Sequence, residues 1–170
     1  MLLTLSGCEY MRDRGNDAKD IADIGLTFTN TPQFSLYASG PIVQVFTLGA
    51  GNVDGKFLGL GEGRFSAMGP HYEKSGGTFL WGEERISYYY TGEELDAMTP
   101  EEADEKANFM RVGILGMAQG PPPDLKYIGS CPHFLHLGFI GLVGTPRYLQ
   151  FADFLLGWTT LDVCQDDGRD

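Results

Sequence analysis

From residue 25 to residue 90 the chain alternates apolar and polar side chains in short runs closed by glycine, proline or asparagine. Leu26-Thr27-Phe28-Thr29 stops at Asn30-Thr31-Pro32, and Phe34-Ser35-Leu36-Tyr37-Ala38 stops at Gly40-Pro41. A period of two puts successive side chains on opposite faces, so each run predicts a half-buried strand. Residues 42–48, 56–60, 64–68, 78–81 and 86–90 continue the series, and Asp54-Gly55 supplies a hairpin signal. Residues 111–117, 125–128 and 133–143 return to strand, the last apolar enough to be central. The spacing and its glycine punctuation predict about 7–9 antiparallel strands curling into a sandwich or partial barrel.

Helical spacing interrupts this pattern at 16–24, 100–108 and 146–156. Asn16 caps the first, with Asp17 in its opening turn and Ala18, Ile21 and Ala22 on one stripe. The second has the firmest start: Thr99 as N-cap, Pro100 at the first helical position and Glu102 closing a capping box. Thr145-Pro146 repeats the device for the third. That helix is apolar at Tyr148, Leu149, Phe151, Ala152, Phe154, Leu155 and Leu156, too much of its circumference for a lone surface helix. It must bury against the sheet, another subunit or a membrane interface, with core packing the default. Gly120-Pro121-Pro122-Pro123 forms a stiff polyproline-type link. The fold class that follows is α+β and β-rich, a curled antiparallel sheet with two helices, from Pro100 and Pro146, packed on it.

Composition narrows the setting. A chain of 170 residues is one domain with a sizeable core, and its 24 glycines are about double ordinary usage. The net charge of −11 repels phosphate backbones and anionic headgroups, so neither nucleic-acid binding nor electrostatic docking on a membrane is expected. The acid-rich runs 93–105 and 162–170 read as a solvated helix face and a solvated tail. No run of ~20 apolar residues is present to form a transmembrane helix.

The chain opens Met1-Leu2-Leu3-Thr4-Leu5-Ser6-Gly7-Cys8. Leu5-Ser6-Gly7-Cys8 resembles the lipobox of bacterial lipoproteins, an aliphatic residue and two small ones before cysteine. The resemblance implies that Cys8 receives a diacylglyceryl thioether, that cleavage falls before it, and that palmitate or a similar acyl chain joins the new N-terminus. A complete export leader carries a basic segment and 7–15 apolar residues, so residues 1–7 read as the remnant of a signal peptide. Residues 8–15 then form a polar tether, 16–164 a single domain, and 165–170 a flexible acidic tail. Glu9, rather than aspartate, after the cysteine implies the outer membrane in the lipoprotein sorting systems. The ending Asp153-Phe154-Leu155-Leu156-Gly157-Trp158-Thr159-Thr160-Leu161-Asp162, with Asp166-Asp167 and the early Arg14-Gly15-Asn16-Asp17, is similar to small bacterial envelope lipoproteins and brings no activity with it.

Candidate chemistry is sparse. Cys131 and Cys164 make an even pair once Cys8 is an anchor, either two buried thiols or a disulfide. A bridge closing ~33 residues would contribute roughly 3–4 kcal/mol. Cys131-Pro132-His133-Phe134-Leu135-His136 has zinc-site residue types, but a strand turns 136 away from 131 and 133, so no metal is expected. The glycine groups at 49–55 and 59–63 lack the spacing of a phosphate loop and read as hairpin turns and close strand packing. Glu83-Glu84-Arg85 reads as a turn, since adjacent strand residues cannot face each other as acid and base. Trp81, Tyr88 and Tyr90 are a candidate platform for a sugar or peptide. No catalytic signature and no cofactor motif appears. The expected role is a membrane-anchored envelope lipoprotein, structural or interacting with a protein partner or itself. The alternatives are a small ligand-binding barrel around an apolar cavity and, behind it, a hydrolase.

Overall fold

In β1 (Ala22–Ser39) the two-residue alternation runs through almost the whole strand and decides how the sheet curls. The computed structural model describes residues 3–40, 46–119 and 129–158, with 3–9 and 117 described by their backbone alone. β1 lies between β2 (Thr47–Gly61) and β6 (His133–Pro146), and β3 (Arg64–Phe79), β4 (Trp81–Ser87) and β5 (Met110–Val112) follow outward from β2. The order is β5-β4-β3-β2-β1-β6, every neighbouring pair antiparallel. This is the expected β-rich curled antiparallel sheet with helices.

The strands are longer and fewer than the turn signals suggested. Asn30-Thr31-Pro32 does not end β1; it forms a bulge where the register slips between Phe28 and Gln33 against β6. A bulge absorbs extra residues, bends the strand and spares proline the hydrogen bond it cannot make. Asp54-Gly55, expected to turn, pairs with Tyr72 and His71 in the middle of β2. Gly55 serves close approach instead, because a Cβ there would collide with the Phe28 carbonyl. The chain reverses at Glu62-Gly63, where φ is 49° and 74°, the paired positive values of a two-residue hairpin turn. Glu83, Glu84 and Arg85, also read as a turn, are paired inside β4.

The helices show similar shifts. α1 (Leu3–Asp20) includes residues 8–15, expected as a tether; of the helix expected at 16–24 only residues 16–20 form, as its last turn, and 22–24 belong to β1. α1 stops at Asp20 because Ala22 and Ile24 are claimed by pairing with Pro146 and Gly144 of β6. α2 (Gly92–Asp96) and α3 (Pro100–Lys106) each open with a complete capping box, Thr91 with Glu94 and Thr99 with Glu102. The 111–117 segment divides at Gly113, φ 81°, into β5 and the single turn α4 (Ile114–Met117). α5 (Tyr148–Gly157) starts two residues after Pro146, because Thr145 and Pro146 still pair with Asp23 and Ala22. Residues 41–45, 120–128 and 159–170 lie outside the described structure, and with them the polyproline link, the 125–128 strand and the acidic tail.

The curl brings distant strands together over a small apolar core of Tyr37, Phe57, Ile86, Tyr88, Phe134 and Val143. A second cluster, Leu95, Ala103 and Ala107, seats α2 and α3 against Tyr72, Tyr90 and Met98. α1 and α5 pack on each other at the start of β1, where Arg147 N donates to Ile21 O at 2.8 Å.

Candidate functional site

Side-chain direction in β1 runs opposite to the usual arrangement. Asp23, Thr27, Thr29, Ser35, Tyr37 and Ser39 are buried, whereas Ile24, Phe34, Leu36 and Ala38 are exposed. β6 repeats the inversion: His136 and Thr145 point in with Phe134 and Val143, while Leu135, Leu137, Phe139, Ile140 and Leu142 stand outside. Gly138, at φ 73°, carries the irregularity that lets Phe139 and Ile140 both face out. α5 is inverted as well, burying Gln150 and Asp153 and exposing Tyr148, Phe151, Leu155 and Trp158. Water drives apolar surface inward in an ordinary globular domain, and an apolar outer wall of this extent departs from that arrangement.

The interior is held by polar contacts. Ser35 Oγ donates to Glu73 Oε1 at 2.8 Å and Ser75 Oγ to the same oxygen at 2.5 Å. Tyr37 OH donates to Glu84 Oε1 at 2.6 Å. Register sets Glu84 opposite Ser75 and Ile86 opposite Glu73, so the two carboxyls are diagonal neighbours on one face. Gly51 leaves room for this group: a Cβ there would come within 2.7 Å of Glu73 Oε1. Burial pushes both carboxyls up to about 7, against hydrogen bonds that favour the ionised form. His71, fully buried beside Ser87 O at 3.1 Å, is pushed down to about 4 by the same desolvation. His136 lies 2.7 Å from Thr27 Oγ1, and burial lowers it too.

One buried ion pair ties α5 to the sheet, and another braces α1 against α5. Arg147, at the head of α5, meets Asp23 at 2.7 Å, and Glu62 N donates to the other Asp23 oxygen at 2.7 Å. Burial raises the Asp23 carboxyl despite the opposing pull of Arg147. Arg14 meets Asp17 at 2.6 Å within α1, and its guanidinium occupies the space where a side chain at Gly157 would be. Tyr10 OH donates to Gly157 O at 3.3 Å and its ring meets Trp158 edge-on at 6.3 Å. The early Arg14–Asp17 segment and the late Gly157-Trp158 segment, linked in sequence only by resemblance, thus touch.

The residues singled out from sequence are dispersed. Cys8 falls within α1. Cys131 is a buried thiol whose Sγ donates to Gly40 O at 3.1 Å and which burial pushes up to about 11, while Cys164, its candidate partner, lies outside the described residues. Trp81 is 40% exposed at the start of β4, Tyr88 is 4% exposed in the core beyond its other end, and Tyr90 packs against the α2–α3 cluster. The three rings do not form one platform, because the strand between Trp81 and Tyr88 separates them by ~20 Å. His133 stands outside with Nδ1 2.7 Å from Cys131 O, and His136 points in. Among the described residues no cluster of His, Cys, Asp or Glu is arranged to hold a metal ion.

An open cleft of about 280 Å³ lies over β3 and β4, lined by Lys74, Ser75, Gly76, Trp81, Glu83, Glu84, Arg85 and Phe109. Its rim is charged, with Arg111 at 3.5 Å from Glu83 and Arg85 paired to Asp104. The space between Tyr88, Thr145 and Arg147 is about 20 Å³, room for a water rather than an apolar ligand. The fold and site therefore define a curled antiparallel sheet with a hydrogen-bonded polar interior and an apolar outer wall. No protein-family model matches this chain, and no curated protein or solved structure gives a significant match.

Proposed function

We propose that this chain is a membrane-anchored envelope lipoprotein, carried on an acylated Cys8 and acting as a structural or interaction subunit rather than a catalyst. The observation that supports it is the placement of the lipobox-like Leu5-Ser6-Gly7-Cys8 at the head of α1, whose later turns are clamped to α5 through Tyr10, Arg14 and Gly157. Cys8 stands ~9 Å along the helix axis from Arg14, so lipid on its thiol would be coupled to the domain through ordered helix. Two or three acyl chains hold a protein far more firmly than one, at ~0.8 kcal/mol per buried CH₂. The buried carboxyls and histidines serve the interior network, with Tyr37, Ser35, Ser75 and Thr27 as partners. Intact mass of the protein made from its own gene tests the anchor: a mature chain beginning at acylated Cys8 is expected, and an unmodified Met1 in the aqueous fraction refutes it.

A second reading, a ligand-binding module, draws on the cleft beside Trp81. In a Trp158→Phe variant Trp81 is the sole tryptophan, and its emission should shift with a saccharide or peptide that stacks there. A flat response across both classes removes this reading.

A further inference from the structure

We propose that the outer wall formed by β1, β6 and α5 is immersed in the acyl region of a bilayer, lying along the membrane rather than crossing it. The inference deepens the membrane location proposed above but does not need a lipid on Cys8. Charge is its first support. The chain carries 12 basic and 23 acidic residues, yet β1 and α5 hold one carboxylate each, Asp23 and Asp153, both buried, and β6 holds none. The face they present outward is Ile, Leu, Phe, Ala, Tyr and Trp, broken by the uncharged bulge at Asn30-Thr31-Pro32 and by His133 at the start of β6. A net charge of −11 gives no electrostatic reason for a membrane to attract the chain, so an uncharged apolar wall must act by insertion.

The second support is the inversion itself, which occurs in strands and in a helix together. A sheet with Ser, Thr, Glu and His inside and Leu, Ile and Phe outside is stable when its surroundings are more apolar than its interior, the pattern of lipid-facing β-walls. A single protein partner would have to match a sheet face and a helix face at once, whereas acyl chains conform to both. Aromatic side chains at the junction, Tyr148 and Trp158, suit the boundary between headgroups and chains. Depth is limited by two features. Among the described residues β6 is the edge of the sheet, and hydrocarbon does not tolerate an unpaired edge, so the strand must keep that side at the headgroup level. β2 and β3 expose Leu48, Phe65 and Phe79 towards their ends but Asn52, Lys56 and Lys74 along their middle, and these polar side chains keep the centre of both strands in water.

The test uses the full chain with Cys8→Ser, which cannot be acylated, and Trp81→Phe, which leaves Trp158 as the sole tryptophan. It should float with zwitterionic phosphatidylcholine vesicles, and bromine on the acyl chains should quench Trp158. Leu36→Glu and Leu137→Glu, both on the exposed wall and checked for unchanged circular dichroism, should each weaken partitioning at least tenfold. Lys74→Glu should leave it unchanged. Failure of the Cys8→Ser chain to bind vesicles overturns the proposal, as does sedimentation as a dimer that Leu36→Glu dissociates, since a second copy would then cover the wall. The two membrane readings separate cleanly. A natural product that is acylated but detaches once Cys8 is replaced keeps the anchor and loses the wall; an unacylated one that still binds vesicles does the reverse.

Discussion

Asp23 illustrates how much a single position holds in place. Its two oxygens accept from Arg147 and from the Glu62 backbone, joining the start of β1, the β2–β3 turn and the head of α5. Taking two charges out of water is costly, and their attraction offsets this only while both are present. Arg147→Met should therefore destabilise the fold by about 3–5 kcal/mol, because it leaves a buried carboxylate without its cation. Asp23→Asn/Arg147→Met together should lose less than the two single changes added, which urea unfolding of the three variants will measure. Glu73 behaves differently, since its partners are hydroxyls. Glu73→Gln keeps the volume and removes the titrating group, and at pH 8 it should be at least as stable as the parent. Loss of more than ~1 kcal/mol there would show that Ser35 and Ser75 need the carboxylate itself as acceptor.

At the level of elements, local chemistry was readable where a local bond decides the outcome. The Thr99–Glu102 capping box, with Pro100 behind it, fixes the start of α3 whatever surrounds it, and both of its hydrogen bonds form. Thr99→Ala should cost about 1 kcal/mol, and Thr91→Ala on the equivalent box of α2 a similar amount, measured by thermal melting. The Thr91–Glu94 box carried the same signal in sequence, hidden because Tyr88-Tyr89-Tyr90 drew that region into a strand. Where pairing competes with a turn signal, local reading failed. Asn30-Thr31-Pro32 and Asp54-Gly55 are strong turn sequences in isolation, but β1 and β2 are paired on both sides; the β2–β3 ladder runs straight through Asp54-Gly55, and β1 resumes its pairing beyond a bulge at Asn30-Thr31-Pro32. Thr145-Pro146 failed for the same reason: two more pairs with β1 outweigh two more residues of α5. A strand's neighbours are absent from its sequence, so its length was the least legible property of the fold.

At the scale of the molecule, the alternation in β1 and β6 was legible and its phase was not. Leu26-Thr27-Phe28-Thr29 states that one face is apolar and the other polar, and leaves open which of them is enclosed. The candidate interior was therefore invisible in advance: Glu73, Glu84, His71 and His136 become one buried set only once the sheet curls polar side in. That set also governs how stability depends on pH. Glu73 and Glu84 titrate near 7 in the folded protein against 4.5 ordinarily, so the stability they contribute is complete below pH 4.5 and lost as pH rises through 7. Each is worth up to about 3 kcal/mol over that span. His71 has the opposite sign, because its folded value is depressed from 6.5 to about 4: its contribution is present above 6.5 and lost as pH falls through 4. Between pH 4.5 and 6.5 the two effects oppose each other, but two carboxyls outweigh one histidine, so stability already falls with rising pH, about half as steeply as the carboxyls alone would give. Above 6.5 the histidine has finished titrating and only the carboxyls continue, so the melting temperature should fall from pH 6.5 to pH 8. Glu73→Gln/Glu84→Gln should flatten that fall while leaving the decline below pH 4.5, and His71→Phe should do the converse. A melting curve that instead rises from pH 6.5 to 8, unchanged in the double glutamine variant, would mean that the interior carboxyls stay ionised and that water reaches them.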